Sequence, residues 1–120
     1  MEMDLGVDVT MDGNLGIIRL TGELDAYTSS RFKEVMINTL EKGCTNLVVS
    51  LADVEYIDSS GLGALVGGLK RVSERSGKLV LVGARPQVRK VFEITGLEKV
   101  FPIYRNESEA VESLKRDESQ

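Results

Sequence analysis

Two short, mostly apolar segments, residues 46–51 and 78–83, flank a stretch in which Leu62, Leu65, Val66, Leu69 and Val72 recur at helical spacing. A run apolar at consecutive positions suits a strand covered on both faces, the usual condition of a strand in a parallel sheet. Parallel neighbours cannot be joined by a tight turn and need a crossover of a dozen residues or more, which is commonly a helix. The pattern therefore predicts a strand–helix–strand unit with a right-handed crossover. An all-helical or all-antiparallel chain would not be written this way.

The flanking sequence extends the unit in both directions. Leu5, Val7, Val9 and Met11 alternate with period two, Asp12-Gly13-Asn14 signals a hairpin turn, and residues 15–20 form the return strand. Thr21-Gly22-Glu23-Leu24-Asp25 is expected to leave the sheet. Thr28, Ser29 and Ser30 are candidate caps for a helix whose inner face carries Phe32, Val35, Met36, Thr39 and Leu40, closed by Gly43. Asp53 to Ile57 leads to Asp58, where the next helix starts, and Gly77 closes it. Pro86 suits the first turn of a third helix lined by Val88, Val91, Phe92 and Thr95 and stopped by Gly96. Residues 100–104 read as a short strand at a sheet edge because of Pro102. Asn106 and Glu109 approximate a capping box for a last helix with Ala110, Val111 and Leu114, and residues 115–120 read as a frayed polar tail. The expectation is a single α/β domain over residues 1–120, with a mixed, mostly parallel sheet of about five strands and four helices.

Composition narrows the chemistry. The formal net charge is −4, and Lys and Arg are scattered among acids, so no basic face for nucleic acid is expected. Histidine is absent, which removes Ser-His and Cys-His nucleophile activation and nearly every transition-metal site. With one cysteine, Cys44, neither an internal disulfide nor a structural zinc site is expected, and Cys44 reads as packing at the foot of a strand. The acidic Met1-Glu2-Met3-Asp4 start is unlike a signal peptide, and no run approaches the ~18 apolar residues of a membrane span. A cytoplasmic protein with no membrane partner and no cofactor is the expectation.

The glycine-rich start of the second helix invites a nucleotide-binding reading, which its residues refuse. Gly63 and Gly68 have Walker spacing, but Leu69 stands where the lysine belongs, and Val66 occupies the third glycine of a Rossmann fingerprint. A nucleophile elbow fails too, since Ile57 replaces the first glycine and no histidine exists to take a proton from Ser59 or Ser60. An enzyme built on the carboxylates Asp25 and Asp58 is the weaker remaining alternative. Asp58 followed by two serines is also an ordinary helix cap. What a cap does not explain is Gly61, Gly63, Gly67 and Gly68, because each interior helical glycine costs ~1 kcal/mol relative to alanine. With Leu62, Leu65, Val66 and Leu69 assigned to the core, Ser60, Gly63, Ala64, Gly67 and Arg71 fall on an outward, nearly flat face. Such a face fits close docking of another protein. Close packing against a neighbouring helix of the same chain explains small residues equally well.

Tyr56-Ile57-Asp58-Ser59-Ser60-Gly61-Leu62-Gly63 resembles the phosphorylation signature of bacterial anti-sigma factor antagonists of the STAS family. Leu20-Thr21-Gly22-Glu23-Leu24-Asp25 and Phe92-Glu93-Ile94-Thr95-Gly96-Leu97 agree with the family in order and spacing, and the similarity spans roughly residues 5–115. The resemblance implies a partner switch and not an enzyme. The unphosphorylated protein binds an anti-sigma factor that is also a serine kinase and so frees a sigma factor. The kinase modifies the serine after the motif's Asp, here Ser59, and a metal-dependent serine phosphatase reverses it. Sequence chemistry alone does not separate Ser59 from Ser60. On this reading Asp25, Asp58, Ser59, Ser60, Gly61, Gly63, Ala64, Gly67 and Arg71 make up the partner-binding surface, although Asp25 could equally be a loop carboxylate capping the next helix. An interaction subunit of another signalling or lipid-transport assembly is the alternative within the family.

Overall fold

The computed structural model describes residues 5–118. Strand β1 (Gly6–Asp12) turns through Gly13 and Asn14 into the antiparallel β2 (Leu15–Leu24), with Asp12 opposite Leu15. Then follow α1 (Ser29–Glu41), β3 (Asn46–Ile57), α2 (Ser59–Glu74), β4 (Leu79–Val82), α3 (Pro86–Thr95), a 3-10 turn (Leu97–Lys99), β5 (Ile103–Tyr104) and α4 (Glu107–Glu118). The strands lie in the order β1-β2-β3-β4-β5, and every pair after the first is parallel. Because that order never reverses, right-handed crossovers send α1, α2 and α3 to one face of the sheet. Only α4 is left to cover the other.

The strands read both ways accordingly. Leu47, Val49 and Leu51 of β3 join Phe32, Met36, Leu65, Val72, Val88 and Phe92 in the main core. Val48, Val80 and Val82 point to the opposite face and pack against Ala110 and Leu114 of α4. The consecutive apolar runs are thus explained by helices on both sides. Pro86 opens α3, and Gly96 ends it in a left-handed conformation with φ 78°. Cys44 is buried, and desolvation pushes its thiol pKa up, in keeping with a packing role.

Three expectations need correction. Thr21 to Leu24 do not leave the sheet: β2 runs to Leu24 beside a β3 that runs to Ile57. The register shifts between Arg19 and Thr21 and again between Gly22 and Glu23, and such irregularities erase the period of two by which a strand is read. The strand expected over residues 100–104 shrinks to Ile103–Tyr104, because Phe101 plugs the core edge-on to Phe92 with ring centroids 6.0 Å apart. The polar tail is also helical further than expected. Lys115, Arg116 and Asp117 belong to α4, and Asp117 meets Lys78 Nζ at 2.6 Å; residues 119–120 lie outside the described part.

At its other end α4 is clamped. Asn106 Oδ1 accepts from Glu109 N at 2.9 Å, half of the expected capping box. Glu107 takes a two-pronged bond from Arg19 on β2 (2.7 and 2.8 Å), and Arg19 also reaches Asp8 and Thr10 on β1. One guanidinium therefore ties the helix to both strands of the hairpin.

Candidate functional site

Beyond Val82, which pairs with Ser50, the rest of β3 continues past the end of β4 and pairs only with β2. Leu24 lies opposite Ile57 at the tip of this extension, so the residues that follow, Asp25 and Asp58, leave the sheet side by side. The amide of Asp58 donates to Leu24 O at 3.2 Å, which joins the two loops. Carboxyl ends of adjacent parallel strands are where α/β sheets commonly place their functional groups.

Asp58 is extended (φ −119°, ψ −171°), and its Oδ1 accepts from Ser60 N at 2.9 Å and Gly61 N at 3.2 Å. It is the cap of α2, and it satisfies two amides that the helix cannot. Ser59 is the first residue of α2 and is exposed, whereas Ser60 is half-buried. Asp25 works on its own loop. Its Oδ1 accepts from Tyr27 N at 2.9 Å and Thr28 N at 3.1 Å, an Asx-type turn that delivers the chain to α1. The Thr28 hydroxyl lies 2.7 Å from Glu23 O and makes no capping bond of its own. These hydrogen bonds of the Asp25 carboxylate lie within its own loop, and it is the bond from Asp58 N to Leu24 O that sets the start of that loop next to Asp58. Turning the loop this way leaves Tyr27 89% exposed.

The glycines of α2 divide into two kinds. A Cβ on Gly61 would lie 2.6 Å from Leu24 O and 2.9 Å from Ile57 Cγ1, and one on Gly68 would lie 2.6 Å from Met36 Sδ. These two let α2 approach β2 and α1. Cβ atoms on Gly63 and Gly67 would meet nothing within 4 Å. Ala64 is completely buried, while Val66 is 44% exposed. The outward face expected from sequence is therefore rotated. Ala64 and Gly61 are buried against the rest of the chain and do not stand on the outward face, and Val66 is exposed there with Ser59, Gly63 and Arg71, Gly67 being half-buried. Glycine and alanine carry less hydrophobic weight than valine in a periodicity count, so the stripe Gly61-Ala64-Leu65-Gly68-Val72 lost to one that recruited Val66. Residues that the sequence reading did not place here are Tyr27 and, from α1, Lys33 and Ile37, which face Gly63 and Gly67 across a groove.

Among the described residues no group of three or more His, Cys, Asp or Glu could hold a metal ion, and no helix is long and apolar enough to cross a membrane. What the fold offers is a single α/β domain that presents a serine-led helix start at the tip of its sheet. The chain belongs to the STAS domain family, whose sequence model matches residues 7–110. It is 33% identical over 113 residues to an anti-sigma F factor antagonist of Paenibacillus polymyxa, covering 93% of this chain and 97% of the relative. It is 34% identical over 110 residues to an anti-sigma-B factor antagonist of Staphylococcus aureus (strain NCTC 8325 / PS 47), covering 92% and 100%. Among solved structures, the anti-sigma factor antagonist SpoIIAA in its unphosphorylated form aligns with a TM-score of 0.81 at 25% identity, over 92% of this chain and 96% of that one. The phosphorylated form of Bacillus SpoIIAA aligns with a TM-score of 0.72 at 24% identity, over 90% and 98%.

Proposed function

We propose that this chain is an anti-sigma factor antagonist switched by phosphorylation of Ser59. Unphosphorylated, it binds an anti-sigma factor that is also a serine kinase, and the sigma factor is released. Phosphorylation ends the binding, and a metal-dependent serine phosphatase restores it. The observation that carries the reading is the placement of Ser59: an exposed hydroxyl at the first position of α2, on the same face as the unobstructed Gly63 and Gly67. The names of the relatives support the antagonist role, and a structural neighbour solved in unphosphorylated and phosphorylated forms supports the switch.

Simple electrostatics describes how the switch operates. A phosphate adds about −1.5 to −2 charges at neutral pH. The start of α2 welcomes negative charge by ~0.3–1 kcal/mol, and the carboxylates of Asp58 and Asp25 at the same tip oppose it. Gain and loss are of similar size, so the core keeps its packing. The off state then arises at the interface, where bulk and like charge meet a desolvated partner surface.

The test is to incubate the chain with an anti-sigma kinase and Mg-ATP and to locate the phosphate by mass spectrometry. Modification confined to Ser59 and abolished in Ser59→Ala is expected. Phosphate on Ser60 would move the switch by one residue, and binding equal in Ser59→Asp and Ser59→Ala would remove its electrostatic basis.

A further inference from the structure

We propose that the groove between α1 and α2 seats an acidic segment of the protein partner, with an apolar side chain lying over Gly63 and Gly67 and carboxylates meeting Lys33 and Arg71. This rests on the docking reading above and gives it a chemistry. Gly68 and the buried Ala64 bring the two helices together at their base, and Gly68 abuts Met36. At Gly63 and Gly67 an added Cβ would meet nothing within 4 Å. Neither glycine is required by the packing of the chain itself, so the space above them is left for something else.

That space is a groove of about 200 Å³ lined by Lys33, Met36, Ile37, Gly63, Gly67 and Arg71, among others. It is smaller than the ~300–1,000 Å³ typical of cofactor and small-molecule sites. One large side chain fits it. Its floor is apolar through Met36 and Ile37, and no acidic residue lines it. Lys33 and Arg71 stand on opposite walls, one from each helix, and neither makes an ion pair among the described residues. In a chain with a net charge of −4, two unpaired cations beside an apolar floor select for a guest carrying carboxylates. Ser59 precedes Gly63 by one helical turn on the same face, so a guest in this groove ends beside the serine hydroxyl. A phosphate there would confront the guest's own acids, which couples the groove to the switch.

The experiment titrates a purified anti-sigma factor with serine kinase activity against the 120-residue chain and two variants, Gly67→Leu and the double substitution Lys33→Glu with Arg71→Glu. Each variant is expected to bind at least tenfold more weakly. Association of the wild type should slow steeply as salt is raised, while that of the charge variant should not. Gly67 is half-buried, but an added Cβ there meets nothing within 4 Å, so leucine is expected to be compatible with folding, and a thermal melt checks it; if Gly67→Leu misfolds, the charge variant decides alone. Wild-type binding that both variants reproduce overturns the groove and leaves the antagonist reading standing. A wild type that binds no such factor removes both. Binding to phosphatidylglycerol vesicles that is lost in the charge variant would assign the cations to a lipid surface and overturn the proposal.

Discussion

Gly61 and Gly63 are two residues apart on one helix and have opposite reasons to be glycine. At Gly61 a methyl group would collide with the backbone oxygen of Leu24, an atom that cannot rotate away. Gly61→Ala should therefore destabilise the fold by ~1–3 kcal/mol through overpacking. At Gly63 there is open space, and Gly63→Ala should stabilise by ~0.5–1 kcal/mol through helix propensity. Thermal denaturation of the two variants checks both signs; a fall in Tm for both would mean that Gly63 also packs. Both glycines were legible as unusual in the sequence, and helical spacing put Gly63 and not Gly61 on the outward face, but it gave no reason for a glycine at Gly61. Only the position of the β2 carbonyl gives one. Ala64 and Val66 teach the same point: one is buried and the other exposed, against the order of their hydrophobicity.

The helix α2 and its cap form the next scale. Asp58 serves two amides with one oxygen, so Asp58→Ala should cost ~1 kcal/mol, and Asp58→Asn should keep most of that because the amide oxygen accepts equally well. Equal losses in the two variants, read by chemical denaturation, would show that charge and not capping is what Asp58 supplies. The clamp on α4 makes a separate prediction. Arg19→Met removes three carboxylate or hydroxyl partners at once, from Glu107, Asp8 and Thr10. Because the pairs are partly exposed, the loss in global stability should stay near ~0.5–1 kcal/mol. Amide hydrogen exchange should rise in the first turns of α4 and stay unchanged in α2; uniform exchange across the chain would exclude a local clamp. The caps and stops of these elements were readable from Asp58, Pro86, Gly96 and Asn106. The clamp was not, since Arg19 and Glu107 are far apart in sequence and charge patterning sees only neighbours.

For the whole molecule, the buried Cys44 thiol sets a limit at alkaline pH. Its pKa is raised in the folded state, so its contribution is fully present below the unfolded value and is lost as pH rises through the folded one. Stability should decline above about pH 9, and Cys44→Ala should flatten that decline even if it lowers stability at neutral pH. A decline of the same slope in Cys44→Ala would assign it to other groups. At this scale the sequence by itself determined the alternation of strands and helices, the hairpin entry, the parallel class of the sheet and the absence of histidine chemistry. Those follow from local spacing and composition, which the chain carries wherever it folds. The tertiary structure decided that β2 and β3 continue past their irregular register to set Asp25 beside Asp58, that Ala64 faces inward and Val66 outward, and that a cationic groove opens between α1 and α2. Each of these depends on how closely two elements approach. That distance is set by the summed packing of residues remote in sequence, which no local pattern encodes.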